Sequence, residues 1–250
     1  MANFVLVPGF WLGGWAWARV TPLLRAAGHE VFPVTLTGLG ERVHLGSAET
    51  NLETHVSDVV NLIKYNRLDE VYLAGHSYAG MVITQVADRI PEKIAKLIYV
   101  DCSPLADKTA LADVYSPERL AKFEREIAAR GDGWKLPLPA REDFDDGKNL
   151  IDLAESDLAL IEEMATPQPF NAARQKTSLT NPRRRDLPKL AIWCEDTSEE
   201  VREFLADAPP IYSELKDPNF EFVDLPTGHY PMFTRPQELA EILIKAAEGI

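Results

Sequence analysis

The stretch VYLAGHSYAGMVITQVA, residues 71–87, places a serine between an apolar run and a helical pattern. Small residues stand near Ser77 on both sides, and such residues let a helix start very close to the end of a strand. Gly75 takes the first of these positions. Ala79 takes the second, where glycine is usual, and Gly80 follows one residue later. The pattern predicts a sharp strand-to-helix turn that lifts the Ser77 hydroxyl clear of a sheet, as a nucleophile requires.

Short apolar runs alternate with helical segments along most of the chain. Such alternation predicts a parallel sheet with helices on both faces. We therefore predict an α/β fold, a doubly wound, mostly parallel sheet of about six strands. The strands are expected at about residues 3–8, 30–36, 70–75, 95–101, 189–194 and 220–225, and helices near 15–27, 53–66, 78–90, 198–208 and 235–248.

The alternation stops in the middle of the chain. Between Ser103 and Arg185 strand-like runs vanish, and two helical segments, Pro117–Arg130 and Leu150–Ala165, appear among proline and glycine residues. This change in pattern predicts a helical insertion into the α/β fold. We expect residues 1–103 and 186–250 to form the core, and residues 104–185 to form a helical cap, or lid.

Composition excludes several classes of function. The 250 residues carry a formal net charge of −13, which argues against nucleic acid and anionic membrane surfaces as partners. No apolar run approaches the length of a membrane span, and no signal peptide is visible, so we expect a cytoplasmic protein. The two cysteines, Cys102 and Cys194, are too few for a disulfide scaffold or a zinc site. We expect no metal site.

A serine nucleophile needs a base, and five histidines are available. His229 lies in LPTGHYP, residues 225–231, between the last predicted strand and the last helix. A loop at the carboxyl edge of a parallel sheet faces the site where the serine emerges. The order of serine, acid and histidine along the chain, usual for such sheets, also predicts His229 as the base.

The acid should follow a strand between Ser77 and His229. Asp196 is our prediction, because a short aspartate just after the strand that ends near residue 194 can reach the imidazole. Glu195 and Asp101 are the alternatives, and the order of residues alone does not separate the three.

Two backbone N–H groups should form an oxyanion hole. Tyr78, directly after the nucleophile, is expected to supply one, and Phe10, in the loop after the first strand, the other. Gly9 lets that loop fold tightly over the serine. The same loop could suggest a dinucleotide site, but its glycines at 9, 13 and 14 do not have the G-x-G-x-x-G spacing.

These stretches resemble one branch of the α/β-hydrolases, which contains plant methylesterases, salicylic-acid-binding esterases and hydroxynitrile lyases. The resemblance implies a catalytic triad of Ser77, Asp196 and His229, an oxyanion hole at Phe10 and Tyr78, a helical lid, and catalysis without a cofactor. The similar stretches are Phe4–Trp17, Leu36–Arg42, Gly75–Gly80, Cys194–Asp196 and Gly228–Pro236.

The chain also departs from that branch. Pro8 stands where the family usually has histidine. The lyases carry lysine after the catalytic histidine and threonine in the oxyanion loop, whereas this chain has Tyr230 and Gly9. Both differences favour ester hydrolysis over cyanohydrin cleavage. A lyase or other non-hydrolytic enzyme, and a ligand-binding protein without turnover, remain as alternatives.

The substrate is expected to be a small, largely apolar ester bound between the serine and the lid, with no evident cationic clamp. The oligomeric state stays open, with a homodimer among the alternatives. The candidate substrate-binding residues are the oxyanion-loop glycine and a set of apolar side chains: Gly9, Phe10, Trp11, Leu105, Trp134, Phe170 and Met232.

Overall fold

The computed structural model describes residues 1–145 and 147–249. Its strands, in chain order, are β1 (Asn3–Val7), β2 (Glu30–Pro33), β3 (Val71–His76), β4 (Ile94–Val100), β5 (Lys135–Leu136), β6 (Gln168–Pro169), β7 (Lys189–Trp193) and β8 (Phe220–Asp224). Its α-helices are α1 (Thr21–Ala26), α2 (Leu52–Tyr65), α3 (Ala79–Arg89), α4 (Pro117–Arg130), α5 (Arg141–Phe144), α6 (Glu155–Met164), α7 (Asn171–Arg174), α8 (Ser198–Asp207), α9 (Pro231–Thr234) and α10 (Pro236–Glu248).

Six strands form one sheet in the order β2-β1-β3-β4-β7-β8, and every neighbouring pair is parallel. Alternate side chains of a strand point to opposite faces. Val5 and Val7 of β1 therefore pack with α2 and α3, whereas Phe4 and Leu6 pack with α1 and α10. Both faces of the sheet are buried, which confirms the predicted doubly wound α/β class.

The first predicted helix differs from the structure. In place of one helix near residues 15–27, a 3-10 turn at Gly14–Trp17 precedes the short helix α1. Pro22 lies in the first turn of α1, where a missing N–H costs nothing. Proline also disfavours a helical conformation in the residue before it, so it starts a new helix and does not continue an old one.

The segment 104–185 holds more than helices. Helix α4 has the predicted bounds, and the Ser116 side chain caps its first turn. Helix α6 begins at Glu155 and not near residue 150. Residues 149–151 instead bond to the loop that holds Gly228 and His229. Strands β5 and β6 pair in a two-stranded antiparallel ribbon that the sequence pattern does not predict. With two residues each, they are too short for any alternation to show.

The carboxyl ends of the parallel strands meet at one edge of the sheet. The loops after β1, β3, β4, β7 and β8 all open there. Ligands of open α/β sheets bind at this edge. Within the described residues, no helix is both long and apolar enough to cross a bilayer.

Candidate active site

Ser77 occupies the turn between β3 and α3 in a left-handed conformation, with φ of 54°. Such a φ is costly for a residue other than glycine and persists only where the surroundings enforce it. A Cβ at Gly75 would lie 2.9 Å from the Ala79 carbonyl oxygen, and one at Gly80 would lie 2.9 Å from that of Ser103. The two glycines thus allow the close approach that the predicted turn needs, with Ala79 buried between them.

His229 is paired with Asp101, which directly follows strand β4. Its Nδ1–H donates to Asp101 Oδ2 at 2.6 Å, and Glu195 Oε2 lies 3.4 Å from the same nitrogen. The other oxygen of Asp101 accepts the backbone N–H groups of Cys194 at 2.9 Å and Glu195 at 3.3 Å. These bonds aim the buried Asp101 carboxylate at the imidazole.

The choice of Asp196 as the acid is corrected by this geometry. Its carboxylate turns outward, is about half exposed at 52%, and pairs with Lys148 Nζ at 2.7 Å. After β7 ends at Trp193, Glu195 faces the site and Asp196, one residue later, faces solvent. Asp101, the third candidate from the sequence, takes the place expected of Asp196.

The charges in this cluster depend on one another. Burial disfavours the charged form of His229, but hydrogen bonds and charge interactions with Asp101 and Glu195 outweigh it, so the pKa of His229 is raised. Burial also opposes ionisation of Asp101, yet the bond from His229 holds the pKa of Asp101 below its usual value. Burial, together with the nearby Asp101, raises the pKa of Glu195. Asp101 is therefore the more readily ionised of the two carboxylates.

Asp101, Glu195 and His229 also form the one group among the described residues whose potential metal-ligating atoms all lie within 4.8 Å of one another. Nδ1 is the histidine atom that faces both carboxylates, and it is already bonded to Asp101. The short distance between His229 Nδ1 and Asp101 Oδ2 suits a proton shared by the two side chains, as in an acid–base pair.

The backbone around His229 is held from two sides. His76 Nε2–H donates to the His229 carbonyl oxygen at 2.6 Å. The N–H of His229 donates to Asn149 O at 2.9 Å, and that of Gly228 donates to Ile151 O at 3.1 Å. We call residues 149–151 the strap. A Cβ at Gly228 would lie 2.6 Å from Asn149 O, so the strap can approach only because residue 228 is glycine.

The predicted oxyanion donors lie beside the serine. A Cβ on Gly9 would lie 2.8 Å from Ser77 Cβ, which shows how closely the loop after β1 covers this serine. The aromatic rings of Phe10 and Tyr78 are in contact, with centroids 4.8 Å apart. In the part of the chain that is described, neither of their backbone N–H groups donates to a protein acceptor. Two free donors next to a serine are what an oxyanion hole needs.

A buried histidine supports Tyr78. The Tyr78 hydroxyl donates to His55 Nδ1 at 2.8 Å, and His55 Nε2–H donates to Thr37 O at 2.9 Å. Burial lowers the pKa of His55 to about 4, so the ring stays neutral and keeps this acceptor role. These two hydrogen bonds of His55 hold the side chain of Tyr78, the residue after Ser77, in place.

A cavity of about 820 Å³ opens above Ser77. Its lining combines apolar side chains with side chains of α4 that carry charges of both signs, among them Arg119. The sequence shows no evident cationic clamp; three cationic side chains of α4 nevertheless line the cavity, and two of them, Lys122 and Arg130, pair with acidic neighbours. The aromatic and apolar side chains of this lining include Phe10, Trp11, Phe123, Leu136, Phe144 and Tyr230.

The other predicted wall residues divide into two groups. Leu105 lines a smaller cavity of about 190 Å³ that also reaches Ser77. Trp134, Phe170 and Met232 line neither cavity. Phe170 and Met232 are fully buried in the packing, and the Trp134 ring lies against Gly46. Apolar character alone does not separate a cavity wall from ordinary core packing.

Comparison with known proteins places the chain in a family. The model of the alpha/beta hydrolase family matches residues 4–242. The protein belongs to the alpha/beta hydrolase family. The chain is 34% identical over 259 residues to a carbendazim hydrolyzing esterase from Nocardioides sp. (strain SG-4G), covering 97% of this chain and 98% of that relative. It is 29% identical to putative methylesterase 14, chloroplastic, from Arabidopsis thaliana, covering 98% of this chain and 72% of the relative.

Solved structures agree with this hydrolase in fold. An extracellular alpha/beta-hydrolase from a Paenibacillus species, described as sharing structural and functional homology with tobacco salicylic acid binding protein 2, has a TM-score of 0.82 at 26% identity. The alignment covers 98% of this chain and 99% of that one. A methylesterase from Arabidopsis has a TM-score of 0.75 at 21% identity and is covered completely. The resemblance to the methylesterase branch is thereby confirmed.

The motifs in the sequence of this hydrolase assign no role to several residues that support the site. His76 is next to Ser77, and Gly228 is next to His229, so proximity to the motifs could have drawn attention to both. His55 and Asn149 lie far from any motif, and only the fold brings them to the site. No local signal in the sequence marks them.

Proposed function

We propose that this hydrolase cleaves small, largely apolar carboxylic esters through an acyl-enzyme intermediate on Ser77. The protein is a carboxylic ester hydrolase by its relatives, which include an esterase and several methylesterases. The observation that carries the mechanism is the 2.6 Å bond between His229 and Asp101 beside a serine in a strained turn.

The proposed reaction begins when Ser77 Oγ attacks the ester carbonyl carbon and His229 Nε2 takes the serine proton. Asp101 holds the imidazole in the required tautomer and stabilises its positive charge. The N–H groups of Phe10 and Tyr78 bind the oxyanion, and each such donor contributes about 10²–10³ in rate in comparable sites. His229 then protonates the leaving alcohol, and water hydrolyses the acyl-enzyme by the same steps.

Residues 104–185 are proposed to act as a cap over this site. Side chains of α4 and of the segment 136–144 form much of the wall of the cavity above Ser77. A wall of this kind excludes water from the reacting atoms and restricts which substrates enter.

Purified protein should hydrolyse p-nitrophenyl acetate and simple methyl esters, and should release no cyanide from mandelonitrile above the uncatalysed background. Expulsion of cyanide is helped by a nearby cation, and Tyr230, which follows the candidate base, offers only a neutral hydroxyl. Ester hydrolysis needs no such cation, because His229 protonates the leaving group. Rapid cyanide release with negligible ester turnover would overturn the proposal in favour of a lyase.

The pH dependence of kcat/KM should report the charge cluster around His229. Only the neutral imidazole accepts the serine proton, so kcat/KM should rise with pH as His229 loses its proton. Because Asp101 and Glu195 raise the pKa of His229, the midpoint of the rise should lie above its ordinary value of about 6.5. Glu195→Gln removes one negative charge and should lower the midpoint by about 0.5–1 pH unit.

Glu199→Gln is the matched control, since it makes the same change of charge at an exposed position nearby on α8. Its profile should match that of the unmodified protein. A midpoint that moves upward in Glu195→Gln, or that moves equally in both variants, would show that Glu195 does not act on His229.

A further inference from the structure

Trp11 has an unusual backbone conformation in the loop that carries a proposed oxyanion donor. It directly follows Phe10 and has φ of 64°, in the left-handed region. An L-residue with a bulky side chain occupies this region only when its surroundings enforce it. The conformation therefore requires contacts that hold Trp11 in place, and the loop after β1 does not supply them alone.

All three polar groups of Trp11 are bonded to the segment 136–168. Its N–H donates to Gln168 Oε1 at 3.3 Å, and its indole Nε1–H donates to Leu136 O at 3.0 Å. Its carbonyl oxygen accepts the N–H of Thr166 at 3.0 Å. Leu136 and Gln168 are paired residues of the ribbon β5–β6. The ribbon supplies two of these three partners, and Thr166, two residues before Gln168, supplies the third.

Of these three partners of Trp11, Gln168 bonds through its side chain and the other two through their backbones. The Gln168 side chain is fully buried. Its Nε2 lies 3.4 Å from Pro169 O, which orients the amide so that Oε1 faces Trp11. Since the Trp11 N–H can only donate, its partner must be an acceptor such as Oε1. Without that acceptor the half-buried N–H would lose its partner in this conformation, and the peptide between Phe10 and Trp11 would be less restrained.

We propose that Gln168 is a positioning residue for the oxyanion hole. Its Oε1 fixes the peptide that follows Phe10 and so restrains rotation about the Phe10 backbone, whose own N–H, in the preceding peptide, is proposed to face the charge that develops during acyl transfer. This inference rests on the proposed function. It assigns to the ribbon β5–β6 a part in transition-state stabilisation, because a preorganised donor is effective only if it does not have to reorient during the reaction.

Gln168→Met tests the inference, since methionine keeps the approximate size of glutamine and removes the acceptor. We expect kcat for p-nitrophenyl acetate to fall about 10–100-fold, less than complete loss of one donor, with KM changed by less than about threefold. In Gln168→Glu, burial keeps the carboxyl protonated, so that one oxygen accepts the Trp11 N–H and the O–H donates to Pro169 O; this variant should keep most of the activity, at a cost in stability. Gln168→Asn, which draws the acceptor back by one methylene, should fall between the two and gives a second measure if the methionine variant does not fold.

Inhibitor binding separates positioning from a general structural role. Ser77 Oγ adds to the carbonyl carbon of 2,2,2-trifluoroacetophenone, His229 takes the proton, and the carbonyl oxygen becomes an oxyanion. Acetophenone has nearly the same shape and binds largely as the unreacted ketone. In Gln168→Met the affinity for the trifluoromethyl ketone should fall in proportion to kcat, whereas that for acetophenone should change by less than about threefold.

Gln85→Met is the matched control. Gln85 is also a buried glutamine whose Oε1 accepts a backbone N–H from the segment 104–185, that of Ser178 at 2.8 Å, but it lies on α3 away from the loop after β1. It should lose stability without the selective loss of ketone affinity. Equal loss in both variants, or full kcat in Gln168→Met, would overturn the inference. Absence of ester turnover in the unmodified protein would instead overturn the proposed function.

Discussion

Replacing Ser77 with alanine should reduce kcat for p-nitrophenyl acetate by about 10⁴–10⁶-fold and leave the fold intact. No other group near the cavity would be activated as Ser77 is proposed to be, by an adjacent base and a strained turn that exposes its hydroxyl. The residual rate would come from the oxyanion donors and from substrate binding. A fluorophosphonate probe should label the unmodified protein at Ser77, with one probe per chain by intact mass.

Ser103→Ala provides the control for this experiment. Ser103 lines the smaller cavity beside Ser77, and the substitution removes the same hydroxyl from a residue that has no proposed role. It should retain activity and probe labelling. Labelling of Ser77→Ala at the unmodified rate would require another nucleophile.

Asp101→Asn should reduce kcat by about 10⁴-fold, because an amide at this position stabilises the wrong tautomer of His229 and no longer balances its positive charge. The Asp101 carboxylate lies 2.6 Å from Nδ1 and is held by the N–H groups of Cys194 and Glu195. The amide oxygen of an asparagine can still accept the N–H groups of Cys194 and Glu195, so circular dichroism should show a folded protein. Kinetic measurements should therefore separate the loss of catalysis from the loss of structure.

Asp196→Asn is the natural comparison, since sequence order alone favoured that residue. Its carboxylate is exposed and bonded to Lys148, and exposed ion pairs contribute about 0–1 kcal/mol to stability. We expect kcat to change by less than about threefold. A severe loss in Asp196→Asn with little effect in Asp101→Asn would return the acid to the loop after β7.

Local sequence motifs predicted much of the core and part of the site. The turn around Ser77 and the histidine after the last strand can be recognised within short stretches, because the strand and helix beside each are visible in the same stretch. The acid could not be chosen in this way. Asp101, Glu195 and Asp196 all follow strands, and the bonds that select Asp101 come from residues more than ninety positions away.

The supporting contacts were harder still to predict. Gln168 lies in a strand of two residues, and its partner Trp11 is 157 positions earlier in the chain. Neither hydrophobic periodicity nor a motif reports such a pairing, because both describe neighbours along the sequence. Trp134, Phe170 and Met232 failed as cavity residues for a related reason: large apolar side chains fill cores and line cavities alike.

The strap that bonds to Gly228 and His229 has a practical consequence for protein engineering. Exchange of the cap between related hydrolases is an obvious way to change substrate range, with junctions placed in the loops after β4 and before β7. Here such a graft would also replace residues 149–151, whose carbonyl oxygens accept the N–H groups of the histidine loop. A donor segment with a different path at this point would displace His229 even if every core residue were kept. Successful chimeras should therefore take residues 149–151 and Gly228 from the same parent protein.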